Sequence, residues 1–166
     1  FLFLFLPVTL ALYFVLPARL RNVWLLFASL VVYGWGEPRF VLVMVASIAI
    51  NFLLALWIDR VRDTSGGRLP LALAVVANLG LLVAFKYTDF LTGNLNALLA
   101  PFDIQPIATL GIALPIGISF FTFQALSYVI DVHRRVAPVQ RNPLNIGLYI
   151  SLFPQLIAGP IVRYVD

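Results

Sequence analysis

The sequence predicts an all-α, polytopic membrane protein: about five spanning helices, a broken or re-entrant sixth segment, and an interfacial amphipathic helix. Three observations carry this. Of 166 residues, 62% are hydrophobic and 11% charged, against about 45–50% and about 25% in soluble domains. The mean hydropathy is +1.01. Apolar runs near the ~20 residues of a span alternate with short polar turns, and arginines gather in every second turn. A soluble chain of this size could not hide so much apolar surface, so its main solvent is lipid.

Phe1 to Leu16 is the first span. It lacks a basic leader and a small-residue cleavage site, so it reads as a helix and not as a signal peptide. Pro17-Ala18-Arg19-Leu20-Arg21 ends it. The second, Asn22 to Trp35, reaches only roughly 21 Å at ~1.5 Å per residue. It is tilted, extended into its flanks, or set where the bilayer is thin. Gly34-Trp35-Gly36-Glu37-Pro38 makes the turn to the third span, Phe40 to Trp57.

A polar loop from Asp59 to Arg68 follows. Its Asp59 and Asp63 alternate with arginines at a helix end, the pattern of a solvated charge cluster and not of paired catalytic carboxylates. Leu69 to Tyr87 is the fourth span, with Lys86 placed to snorkel from its end. From Thr88 to Thr109, Phe90, Leu91, Leu95, Leu98, Leu99 and Phe102 recur at near-helical spacing among Asn94, Asn96 and Asp103. That is the interfacial amphipathic helix, followed by an irregular stretch through Pro106. Ile112 to Val132 is the fifth span. Leu144 to Phe153 begins the sixth, which Pro154 and Gly159-Pro160 interrupt.

If the first five segments each cross, the turns after the odd spans hold Arg19, Arg21, Arg60, Arg62, Arg68, Arg134, Arg135 and Arg141. The turns after the even spans hold Arg39 and Lys86. The positive-inside rule makes the first set cytoplasmic and puts the N-terminus outside. Trp24, Trp35, Trp57 and Tyr87 fall near span ends, as interfacial aromatics do. The net charge of +4 is thus topological, and nucleic acid is not an expected partner. The absence of cysteine excludes disulfides and thiolate metal sites. One histidine is too few for a His-rich metal site, and no bound cofactor is expected.

Chemistry has few places to sit. Ser119, Thr122, Gln124 and Ser127 form a polar stripe on the fifth span. Such groups either hydrogen-bond between helices, the commoner role, or line a passage. Asn51 and Asn78 lie mid-span with the same two readings. Asp131 faces Arg134 one turn on as a local ion pair, and His133 beside two arginines reads as solvated. Gln155 adjoins Pro154 and can satisfy freed backbone groups or meet a polar substrate. Arg163 is either an interfacial flank or a charge inside a cavity, where it would attract an anion. There is no Walker loop, dinucleotide fingerprint or nucleophile elbow. These residues leave transporter, intramembrane enzyme and non-catalytic scaffold open. A coupled transporter would usually carry an acid mid-span, and Asp89, Asp103 and Asp131 lie at ends or in loops.

Two motifs narrow this. Leu114-Pro115-Ile116-Gly117-Ile118-Ser119-Phe120-Phe121-Thr122-Phe123-Gln124, with Tyr128-Val129-Ile130-Asp131-Val132, resembles the membrane-bound O-acyltransferase family. So do Phe153-Pro154-Gln155-Leu156-Ile157-Ala158-Gly159-Pro160-Ile161-Val162-Arg163-Tyr164, the opening Phe3-Leu4-Phe5-Leu6-Pro7 and the turn Tyr33-Gly34-Trp35. The likeness is greatest to the family's alginate O-acetyltransferase branch. The branch that transfers D-alanine to teichoic acid differs around Gln155-Leu156-Ile157-Ala158.

The resemblance implies a multi-pass protein of the bacterial inner membrane. It implies a cytoplasmic acyl thioester donor such as acetyl-coenzyme A. The acceptor is an extracytoplasmic polysaccharide hydroxyl, or a secreted acyltransferase partner that passes the group on. Ser119, Gln124, Gln155 and Arg163 are the candidates to line the passage between them. The family's catalytic histidine lies downstream of the Gly-Pro motif, beyond Asp166, and His133 does not match it. No catalytic residue is therefore assigned. Residues 1–166 read as the N-terminal transmembrane part of a single acyltransferase domain, inactive alone.

Overall fold

A computed structural model describes residues 4–102, 105–108, 111, 113–158 and 164, the side chains of Ser65, Ile157 and Ala158 excepted. Every regular element among the described residues is helical. The helices are α1 (Phe5–Val15), α2 (Ala18–Gly36), α3 (Val41–Val61), α4 (Arg68–Leu82), α5 (Thr88–Leu99), α6 (Ile118–His133), α7 (Pro143–Ser151) and α8 (Phe153–Ala158).

The bundle is built around α6. Ile118, Phe121, Ala125, Tyr128, Val129 and Val132 are buried on it. Their three- and four-residue spacing makes one continuous stripe. That stripe packs against α3 and α4 and, at its edge, α7. Helix α2 packs on α7 and α1 on α2. Gly147 permits the α2–α7 approach, since a Cβ there would sit 3.3 Å from Leu26 Cδ1. Trp24 Nε1 fastens α1 by donating to Thr9 O at 3.1 Å.

Among the described residues two helices are long and apolar enough by themselves to cross a membrane, Val41–Val61 and the continuous rod Arg68–Phe102. The expected count of about five spans is therefore not supported by helix length and composition. Helix α1 has 11 residues, and α2 carries Arg19 and Arg21 in its first turns.

Several expected boundaries are corrected. Helix α2 starts at Ala18, so Arg19 and Arg21 begin the second helix and do not lie in a turn; Pro17, extended, supplies its N-cap. Its 19 residues reach about 28 Å, so it is not unusually short. Helix α6 starts at Ile118 and not at Ile112, because Pro115 and the left-handed Gly117 (φ +75°) interrupt the run. The amphipathic stretch after Tyr87 is not set off by a loop. A π-helical turn, Val83–Tyr87, joins α4 directly to α5. The 35-residue rod is about 52 Å long, well beyond the ~30 Å of a bilayer core. No residue of α5 is buried. The irregular stretch behind it folds back along it: Asn96 exchanges two bonds of 2.8 Å with the Ile107 backbone, and Asp89 Oδ1 accepts from Gly111 N at 3.2 Å.

Contacts across the bundle bring its basic turns to one end. Asn22 Nδ2 donates to Asn145 Oδ1 at 3.1 Å. Arg62 Nη1 donates to Val132 O at 3.0 Å. Arg135 pairs with Asp63, and Asp59 with Arg62 at 3.2 Å. The two aspartates therefore belong to a charge cluster, as expected.

Candidate functional site at the helix break

The sixth apolar segment is broken. The backbone leaves the helical region at Leu152 (φ −57°, ψ 112°), and α8 begins at Phe153. Pro154 sits in the first turn of α8, where a missing N–H is tolerated. An unbroken helix would bond Phe153 N–H to Tyr149 C=O. Here two other helices take up the halves. Phe153 N donates to Ser29 Oγ of α2 at 3.3 Å. Gln124 Nε2 of α6 donates to Tyr149 O at 2.7 Å. Irregular backbone at membrane depth needs such partners.

The Tyr164 ring lies 5.3 Å from that of Tyr149 and 5.0 Å from that of Tyr128. Gln140 Nε2 donates to Tyr164 Oη at 3.1 Å, and Gln140 N donates to Tyr128 Oη at 2.9 Å.

A small cavity of about 80 Å3 lies beside the break. Its walls include Ser29, Tyr33 and Glu37 of the α2 end, Ile116, and Phe153 and Leu156 of α8. Tyr33 is 6% exposed, and its hydroxyl has no hydrogen-bond partner among the described residues. Gly117 shapes the facing wall. A Cβ on it would lie 2.9 Å from Leu156 Cγ.

The candidate residues fare differently. Gln124 is buried at 3% exposure and spends its amide on the break. Ser119 is half-buried in the first turn of α6. Thr122 is buried, with no partner for Oγ1 among the described residues. Ser127 donates to Gln124 O at 2.9 Å. Gln155 is half-buried and its backbone N–H bonds Leu152 O at 3.1 Å. Arg163 and Gly159-Pro160 lie outside the described residues. Asn51 and Asn78 form a reciprocal amide pair between α3 and α4, at 3.2 and 2.7 Å. Each also donates to the carbonyl four residues back, Ser47 O at 2.9 Å and Ala74 O at 2.8 Å. The interhelical reading fits them. Asp131 is buried at the end of α6, while His133 is half-buried beside arginines. Among the described residues no His, Cys, Asp and Glu group could hold a metal ion. Ser29 was missed and Tyr33 was noted only within the Tyr33-Gly34-Trp35 turn, because a serine or tyrosine inside an apolar run gives no site signal before the break is placed against it.

The break thus has both freed backbone groups bonded by neighbouring helices, and a small, mostly apolar cavity beside it. Comparison with known proteins shows what the chain is similar to. Over its full length the chain is 44% identical to a probable alginate O-acetylase AlgI of Azotobacter vinelandii and covers 34% of that protein. It is 42% identical to the protein of that name in Pseudomonas aeruginosa, covering 32% of it. It is 37% identical to a peptidoglycan O-acetyltransferase of Helicobacter pylori, covering 36% of it. The chain is thus similar over its whole length to proteins named as bacterial O-acetylating enzymes and spans about a third of their length. The likeness to the alginate O-acetyltransferase branch carried by its two motifs agrees with the names of these relatives. No family model matches the chain, and no solved structure does.

Proposed function

We propose that this chain is the N-terminal transmembrane part of a membrane O-acetyltransferase. It moves an acetyl group from a cytoplasmic thioester, acetyl-coenzyme A or another acyl thioester, to an extracytoplasmic polysaccharide such as alginate. The transfer is direct or passes through a secreted acyltransferase partner. The observation that carries this reading is the full-length similarity to proteins named for O-acetylation of glycans. The five crossings, the outside N-terminus and the bacterial inner membrane belong to the same proposal, supported by the arginines gathered at one end of the bundle. No catalytic residue is assigned among the residues of this chain. Its own residues hold the broken hairpin open: Ser29 and Gln124 satisfy the freed backbone, and Tyr33 offers a hydroxyl to what enters.

The Helicobacter relative favours peptidoglycan as a second acceptor within the same chemistry. D-alanyl transfer and secondary transport are the competing readings, the latter disfavoured by the placement of the acids at helix ends. The test is deletion of the gene, with the acetyl content of exported polysaccharide and of cell wall measured by NMR. Loss of acetyl esters from the polysaccharide alone is expected. Loss from peptidoglycan alone would move the acceptor, and unchanged acetylation of both would overturn the proposal.

A further inference from the structure

At the opposite end from the helix break, a cavity of about 440 Å3 is lined by Arg62, Thr64, Gly67, Arg68 and His133. It lies where α3 ends, the tight turn Ser65–Gly67 reverses the chain, and α4 begins, with the end of α6 as its third wall. Gly67 makes the turn close enough, since a Cβ there would meet Arg62 Cα at 2.7 Å. The lining is cationic and short of acceptors. Asp59 takes one guanidinium nitrogen of Arg62 at 3.2 Å, and Val132 O another at 3.0 Å. Arg62 Nε and His133 Nδ1 stay buried with no partner among the described residues. Arg68 has no ion pair among them, and Asp63 is engaged by Arg135. Three nitrogen-bearing side chains thus share one polar space whose lining includes no carboxylate.

We propose that this cavity binds a phosphate-class oxyanion, presented there by the headgroup of an anionic membrane lipid. Guanidinium groups match phosphate oxygens in a planar fork. The height argues for a lipid. The cavity sits at the end of both helices long enough to span, where headgroup phosphates lie. Its neighbours Trp57 and Leu69 are 41% and 56% exposed, as side chains facing acyl chains and interface would be. The site stands apart from acetyl transfer and would hold whether or not that reading does.

The test uses the protein purified with all its native flanking sequence in non-ionic detergent. Phosphatidylglycerol retention is read by native mass spectrometry, with phosphatidylcholine as the neutral control. The variants are Arg68→Gln with His133→Gln, and Arg134→Gln as an exposed arginine outside the cavity; Arg62 is kept because it anchors α6. Wild type and Arg134→Gln should retain phosphatidylglycerol at about tenfold lower lipid than the double variant, the effect expected for losing charge-assisted bonds. A parallel melting series with inorganic pyrophosphate separates the sources. Stabilisation by pyrophosphate that the double variant loses, without lipid selectivity, would keep the phosphate site and overturn the lipid as its source. No selective retention and no stabilisation in the wild-type protein, or equal binding by the double variant, would overturn the site itself.

Discussion

Ser29 and Gln124, on helices that flank the broken segment from different sides, hold the two halves of one unmade helix hydrogen bond. Ser29 accepts the N–H of Phe153, and Gln124 donates to the C=O of Tyr149. The break is thereby a bonded conformation and not a frayed one. Ser29→Ala or Gln124→Leu strands one buried backbone group, so each should cost about 1–3 kcal/mol. Unfolding of each variant in mixed micelles measures this, and unchanged stability in both would contradict the assignment.

The Asn51–Asn78 pair should behave as a unit. Asn51→Leu alone leaves the Asn78 amide short of its partner in an apolar crevice. Asn51→Leu with Asn78→Leu removes both and should recover most of the loss. A double-mutant cycle should return a coupling of about 0.5–2 kcal/mol; additive effects would show that the two amides act separately.

Gly117→Ala suffers twice. Its φ of +75° is costly for any L side chain, and the new Cβ would press on Leu156 Cγ at 2.9 Å. A loss of about 1–3 kcal/mol is expected. Pairing it with Leu156→Ala should relieve the steric part only, so a complete rescue would show that the backbone angle costs nothing.

Tyr33→Phe distinguishes passage from packing. Its hydroxyl is buried without a partner among the described residues, so removing it should leave stability unchanged or slightly raised. If the cavity serves the transferred group, polymer acetylation at equal expression should fall by about tenfold, the worth of one lost hydrogen bond. Full acetylation would return Tyr33 to a packing role.

The substrate-passage assignment of Gln155 and Arg163 is tested by replacing both with alanine in the complete protein. Acetylation should be lost at normal expression. Retention would remove both residues from the passage.

Much of the architecture was legible because lipid imposes simple rules. Apolar runs separated by arginine-bearing turns gave the helices, and Pro154 announced the break. The misplaced boundaries have physical causes. Arg19 and Arg21 looked like a turn, yet long basic side chains are tolerated in a first helical turn when their heads reach water. Ile112 looked helical by hydropathy, which is blind to the left-handed Gly117. The link from Tyr87 to Thr88 looked like a boundary because composition changes there, while backbone bonding does not. Gln124 was singled out for its polarity, but its role depends on a carbonyl freed in another helix, which no local pattern reveals.

The π turn at Val83–Tyr87 has a rotational consequence. One additional residue in a helix turns everything beyond it by about 100°. That phase shift sets the azimuth at which Asp89 and Asn96 meet Gly111 and Ile107. The inserted residue therefore works as an indexing step. Excising one residue from it would leave a straighter rod whose grip on the returning chain points the wrong way.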